Sequence, residues 1–69
     1  MEKIDVRGLS CPVPVLRTKK AIDGGAKELY IVGSSQVSKE NVIRLAESQG
    51  FKVDKKVDNK DLWEIEIRK

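Results

Sequence analysis

The sequence predicts an α+β fold: a two-layer α/β sandwich of order β-α-β-α-β-β, with both helices on one face of a four-stranded mixed sheet. Three observations carry this expectation. Two segments whose apolar residues recur at helical spacing, each closed by glycine, alternate with apolar strand-like runs. The last third of the chain alternates apolar and charged residues about Asp58-Asn59-Lys60-Asp61, the pattern of a hairpin with one wet face. Right-handed crossovers then place consecutive helices on the same side of the sheet.

Lys3-Ile4-Asp5-Val6-Arg7 alternates polar and apolar residues, so Ile4 and Val6 point to one face of a first strand. Gly8 permits the turn that follows. Proline is tolerated in a first helical turn, where the backbone N–H groups lack intrahelical acceptors, so Pro12 fits the first helical position and Pro14 the third. Cys11 is then the expected N-cap. In the helix from Pro12 to about Ile22 we expect Val15, Leu16 and Ile22 on the core side and Val13, Arg17 and Lys20 on the outward side. Asp23-Gly24-Gly25 supplies the stop.

Lys27 to Val32 reads as a strand that is apolar on both faces, which suits a central position. Gly33-Ser34-Ser35-Gln36 is a loop. Val37, Ser38 and Val42 fit a hydrophobic staple around a Ser38 cap, which starts the second helix at Lys39, with an extra leading turn as the alternative. Val42, Leu45 and Ala46 form its core stripe, with Ile43 at the edge and Gly50 as the stop. In the hairpin, Phe51, Val53 and Val57 alternate with charged residues, as do Trp63, Ile65 and Ile67. We expect Trp63 in the core. The cluster Lys52, Lys55, Lys56 and Lys60 blunts an exposed sheet edge.

At 69 residues the chain has room for a single domain, residues 1–69, and so small a domain buries only roughly 60% of the surface its unfolded chain exposes. Hydrophobic residues at 39% and charged residues at 36% suit a globular domain rather than a disordered tail. Apolar runs are too short for a membrane span, and Met1-Glu2-Lys3 leads straight into strand-like sequence without a secretory leader, so we expect a cytoplasmic protein and no membrane partner. One cysteine excludes an internal disulfide, and the lack of histidine leaves no plausible transition-metal ligand set. A net charge of +3 is weak evidence for nucleic acid. We expect no direct nucleic-acid partner and no cofactor.

Chemistry centres on Cys11. A free cysteine is often just a small buried hydrophobe. At a helix N-cap, however, its sulfur faces free N–H groups and the positive end of the helix dipole, which favour thiolate over thiol. Arg7 and Arg17 add positive charge nearby. With no histidine to act as base, Cys11 is poorly equipped for hydrolysis, and with no second cysteine it lacks the resolving partner of a peroxide sensor. It is equipped to be handed a group and pass it on. Disulfide exchange between chains stays open.

The run strand, Arg7-Gly8-Leu9, Cys11-Pro12-x-Pro14, Val15-Leu16, then Lys19-Lys20-Ala21 resembles the signature of the TusA/SirA/YedF family of small sulfur carriers, and the chain has the length of one such domain. Val37-Ser38-Lys39-Glu40-Asn41-Val42 further resembles the YedF-like branch, associated with selenium metabolism. Many members carry an acidic pair after the second strand, where this chain has Ser34-Ser35. The resemblance implies a persulfide on Cys11, with Gly8, Pro12 and Pro14 shaping the turn and helix start. It also implies a cysteine desulfurase or rhodanese as sulfur donor and an acceptor in tRNA thiolation, molybdenum-cofactor assembly, sulfur oxidation or selenium metabolism. On this reading the chain is a carrier acting with sulfurtransferases rather than a stand-alone enzyme, and Arg17 and Lys20 are candidate docking residues. Two alternatives remain. A small RNA-binding module of the same element order wants interleaved aromatics on an open sheet face, of which this chain offers few. A regulatory adapter that merely binds proteins predicts that Cys11→Ser keeps full function.

Overall fold

A computed structural model of the chain describes residues 2–9 and 13–69. The elements run β1 (Glu2–Asp5), α1 (Val13–Asp23), β2 (Glu28–Gly33), α2 (Gln36–Ser48), β3 (Lys52–Asp58) and β4 (Trp63–Arg68). One four-stranded sheet has the order β1-β2-β4-β3, with β1 parallel to β2 and β4 antiparallel to both β2 and β3. Both helices cover one face, giving the expected two-layer α+β sandwich.

Strand chemistry explains the order. In β2 and β4, Leu29, Ile31, Ile65 and Ile67 are fully buried and paired directly, Leu29 with Ile67 and Ile31 with Ile65, so the two central strands supply the middle of the core. Val6, Val42, Ala46, Phe51 and Trp63 complete it. β3 is an edge, and Lys52, Lys55 and Lys56 are exposed along it, as charge on an edge strand requires.

Three expectations are corrected. In α1 the inward side chains are Pro14 and Thr18, with Val15, Ala21 and Ile22 partly buried, whereas Leu16 is exposed. Each helical residue steps about 100° around the axis, which puts Leu16 about 100° from Val15 and about 120° from Ile22, on the side of Val13 and Lys20. Leu16 cannot share a face with Pro14 and Thr18, and the buried pair sets the phase.

The extra leading turn of α2 is the one that forms: Ser35 is the N-cap, its Oγ accepting from the Ser38 amide at 3.4 Å. Ser38 is buried inside the first turn and Val37 is exposed, so the staple does not form. Trp63 decides this, because its indole N–H donates to the Ser35 carbonyl at 2.8 Å and fixes the entry of the helix there.

In β3 the register shifts between Lys55 and Val57. Val53 pairs with the core residue Ile67, but Val57 pairs with Glu64 on the opposite sheet face. One extra residue in one strand reverses the inward and outward phase beyond it, so Val57 leaves the series begun by Phe51 and Val53.

Candidate functional site

Both connections that matter leave the same end of the sheet. Parallel strands β1 and β2 are each followed by a helix that runs back across the sheet, so α1 and α2 begin side by side. The link from β1 to α1 is fastened at its start. The Val6 amide donates to the Val32 carbonyl at 2.7 Å, and the Leu9 amide reaches back to the Val6 carbonyl at 3.3 Å. Gly8 has a φ of 73°, in the left-handed region that glycine adopts at little steric cost. Its amide donates to Ser34 Oγ at 3.1 Å. Gly8 thus stands in the turn after β1, with Ser34 accepting from its amide.

Cys11 and Pro12 lie outside the described residues, as do the cap and first-position roles expected of them. Pro14 is the second residue of α1, in the first turn where a missing N–H costs no helical bond. Its side chain is buried, and its carbonyl accepts from Thr18 Oγ1 at 3.0 Å. A proline that both starts a helix and packs inward pins the helix in rotation as well as in register.

Leu9, the last described residue before Cys11, lines an open concavity of about 580 Å³ together with Asp5, Arg7, Gly8 and Arg17. Arg7 is not a free charge in it. Residues two apart at a strand end share a side, and the Arg7 guanidinium clamps Asp5 through Nε at 3.0 Å and Nη2 at 2.7 Å, with the Arg7 amide adding a further bond at 3.0 Å. The hydrogen bonds from the Arg7 side chain and amide hold the Asp5 carboxyl at about 2, well below its ordinary value, and Asp5 in turn raises Arg7. Arg17 enters no ion pair among the described residues and supplies the concavity's uncompensated positive charge. Lys20 is exposed in the last turn of α1, on the same outward side but outside the concavity.

Sequence reading missed the support beneath this end. Trp63 is fully buried against Gly33, where an added Cβ would lie 2.1 Å from the indole ring. A glycine ending an apolar strand was the available signal for that close approach. Through its bond to Ser35, Trp63 anchors the Ser34-Ser35 loop, and Ser34 anchors Gly8.

The other sheet face is less suited to nucleic acid. Of the three aromatic residues, Phe51 and Trp63 belong to the helix-side core. Tyr30, on the opposite face, is half-buried with its hydroxyl donating to Glu64 at 2.6 Å. Among the described residues no cluster of side chains could hold a metal ion, and no helix is long and apolar enough to cross a membrane.

Comparison with known proteins agrees with the fold. A relative from Methanocaldococcus jannaschii, named "Putative sulfur carrier protein", is 41% identical, spanning 100% of this chain and 95% of its own length. The crystal structure of a SirA-like protein from Desulfitobacterium hafniense superposes with a TM-score of 0.84 at 28% identity, covering 99% of this chain and 96% of that one. The family model described as Sulfurtransferase TusA matches residues 2–69, which takes in every element and the turn at Gly8, and on that match the chain belongs to the TusA family.

Proposed function

We propose that this chain is a sulfur carrier: Cys11 accepts sulfane sulfur as a persulfide and relays it to an acceptor protein. The observation that carries this reading is the open, arginine-bearing concavity at the connection between β1 and α1, the stretch of chain that contains the single cysteine. Family membership and the name of the archaeal relative support it.

The chemistry is an exchange. The Cys11 thiolate attacks the terminal sulfur of a donor persulfide, a new S–S bond forms at Cys11, the donor's S–S bond breaks, and the donor leaves as its thiolate. No external oxidant or reductant is consumed. The second transfer repeats the step with Cys11 as the leaving thiolate. A start of α1 nearby and the unpaired Arg17 favour the anionic sulfur in both forms. The chain has no histidine to pair with Cys11 as a base, so the reading asks of Cys11 only that it exchange sulfur.

On this reading the donor is a cysteine desulfurase or a rhodanese, the compartment is the cytoplasm, and Arg17 and Lys20 orient the partner. The acceptor, and so the choice among tRNA thiolation, molybdenum-cofactor assembly, sulfur oxidation and the selenium-related role of the YedF-like branch, is set by partner recognition. The test is intact-mass analysis after incubation with a cysteine desulfurase and cysteine. The wild type gains one sulfur atom that reductant removes, and Cys11→Ser gains none. Equal uptake by the variant refutes the proposal.

A further inference from the structure

The two edges of the sheet are protected unequally. β3 carries exposed Lys52, Lys55 and Lys56 and a bulge, which keep an edge strand from pairing with another chain. β1, the other edge, runs in unbroken register with β2, and its one lysine, Lys3, is answered two residues later by Asp5. The Val6 amide donates to the Val32 carbonyl, so Val6 and, two residues back, Ile4 turn their backbone groups toward β2. Lys3 and Asp5 therefore turn theirs to the open side. Among the described residues no hydrogen bond reaches either backbone there.

A second copy of the chain fits this edge in one register. Antiparallel strands exchange backbone bonds only between residues whose groups face the gap, here Lys3 and Asp5, so a two-fold axis must pass at Lys3, Ile4 or Asp5. An axis at Lys3 or Asp5 sets like charges opposite each other. An axis at Ile4 sets Lys3 of each chain opposite Asp5 of the other, with Ile4 facing Ile4. Lys3 is exposed and enters no ion pair among the described residues, and the Asp5 carboxylate, although clamped by Arg7, keeps lone pairs for a second cation. Half-buried Ile4 would lose its remaining exposed edge.

We propose that β1 pairs edge to edge with β1 of a second copy, antiparallel about Ile4, joining the two sheets into one through backbone bonds and the Lys3 to Asp5 pairs. The strands run in opposite directions, so the turns at Gly8 leave at opposite ends and both Cys11 connections stay open. A strand of this length covers far less than the roughly 800 Å² per partner of a stable interface, which makes the dimer weak, with a Kd on the order of 0.1–1 mM.

Sedimentation equilibrium up to about 2 mM chain, with reductant present to exclude a Cys11 disulfide, compares wild type, Lys3→Glu and Lys3→Pro, each checked for unchanged thermal unfolding. Lys3→Glu puts like charges opposite on both sides of the axis, and Lys3→Pro removes an outward donor while sparing the bonds to β2. The wild type should dimerise, Lys3→Glu about tenfold more weakly, and Lys3→Pro should stay monomeric. In a mixture of isotope-labelled and unlabelled wild type, an interchain NOE should join the two Ile4 Hα protons, which lie close across a non-hydrogen-bonded pair. A wild type that remains monomeric to about 2 mM overturns the proposal. So does a dimer of undiminished strength in Lys3→Glu, or an interchain contact centred on any residue but Ile4. Should Lys3→Pro lose its fold, Lys3→Glu and the NOE decide.

Discussion

The Gly8 amide donates to Ser34 Oγ at 3.1 Å, joining the connections after two adjacent strands across 26 positions of sequence. Ser34 is held from below, since the neighbouring Ser35 carbonyl accepts the indole N–H of the buried Trp63 at 2.8 Å. The turn that leads to Cys11 is thereby fastened to the core through two short bonds. Ser34→Ala should leave the fold intact but speed hydrogen exchange at the Gly8 amide by about fivefold, the equivalent of roughly 1 kcal/mol. Unchanged exchange would show that the serine does not hold the turn.

Gly33→Ala, at the buried end of β2, should be costly. The added methyl would meet the Trp63 ring at 2.1 Å, and a fully buried indole has nowhere to retreat without giving up its bond to Ser35. We expect a loss of about 1–3 kcal/mol, with a shifted Trp63 fluorescence maximum as the ring moves toward water. Denaturant unfolding monitored by Trp63 reports both. A variant as stable as wild type would contradict the close contact.

Much of the fold was legible because its signals are local. Glycine stops, the alternation in the strand from Trp63 to Ile67, and the double-faced apolar run through Leu29 to Val32 each depend on neighbours in sequence. What escaped was phase. Leu16, Val37 and Val57 are each apolar and each plausible inside, but their facing is set by Pro14 and Thr18 packing inward, by Trp63 fixing the start of α2 at Ser35, and by a bulge in β3. These are tertiary decisions. At the site, the turn at Gly8 was readable from glycine alone, whereas the cancellation of Arg7 by Asp5 and the hold of Ser34 required the fold.

The phase of α1 can be tested by stability. Leu16→Ser should change unfolding free energy by no more than about 0.5 kcal/mol, as at an ordinary surface position. Ile65→Ala, in the centre of β4, should cost about 2–5 kcal/mol. Comparable losses at the two positions would return Leu16 to the core.

The Asp5 to Arg7 clamp makes a pH prediction. Arg7 holds the folded-state carboxyl at about 2, below its ordinary value of 3.8, so the clamp contributes fully above that value and is lost as pH falls from 3.8 through about 2. Both side chains are exposed, and salt should weaken the effect. Carbon-detected NMR titration of Asp5 should give a midpoint near 2 that rises toward the ordinary carboxyl range in Arg7→Gln. The same midpoint in both proteins would remove the clamp.

The account's central claim is that Cys11 holds transferable sulfur. The most direct measurement is cyanolysis of protein loaded by a cysteine desulfurase and then freed of donor and cysteine, because cyanide takes the outer sulfur of a persulfide as thiocyanate and returns the cysteine thiolate. The account predicts about one thiocyanate per wild-type chain and none from Cys11→Ser, as expected when a single cysteine carries a single persulfide. Thiocyanate in equal yield from both proteins, or none from a wild type exposed to an active donor, would contradict it.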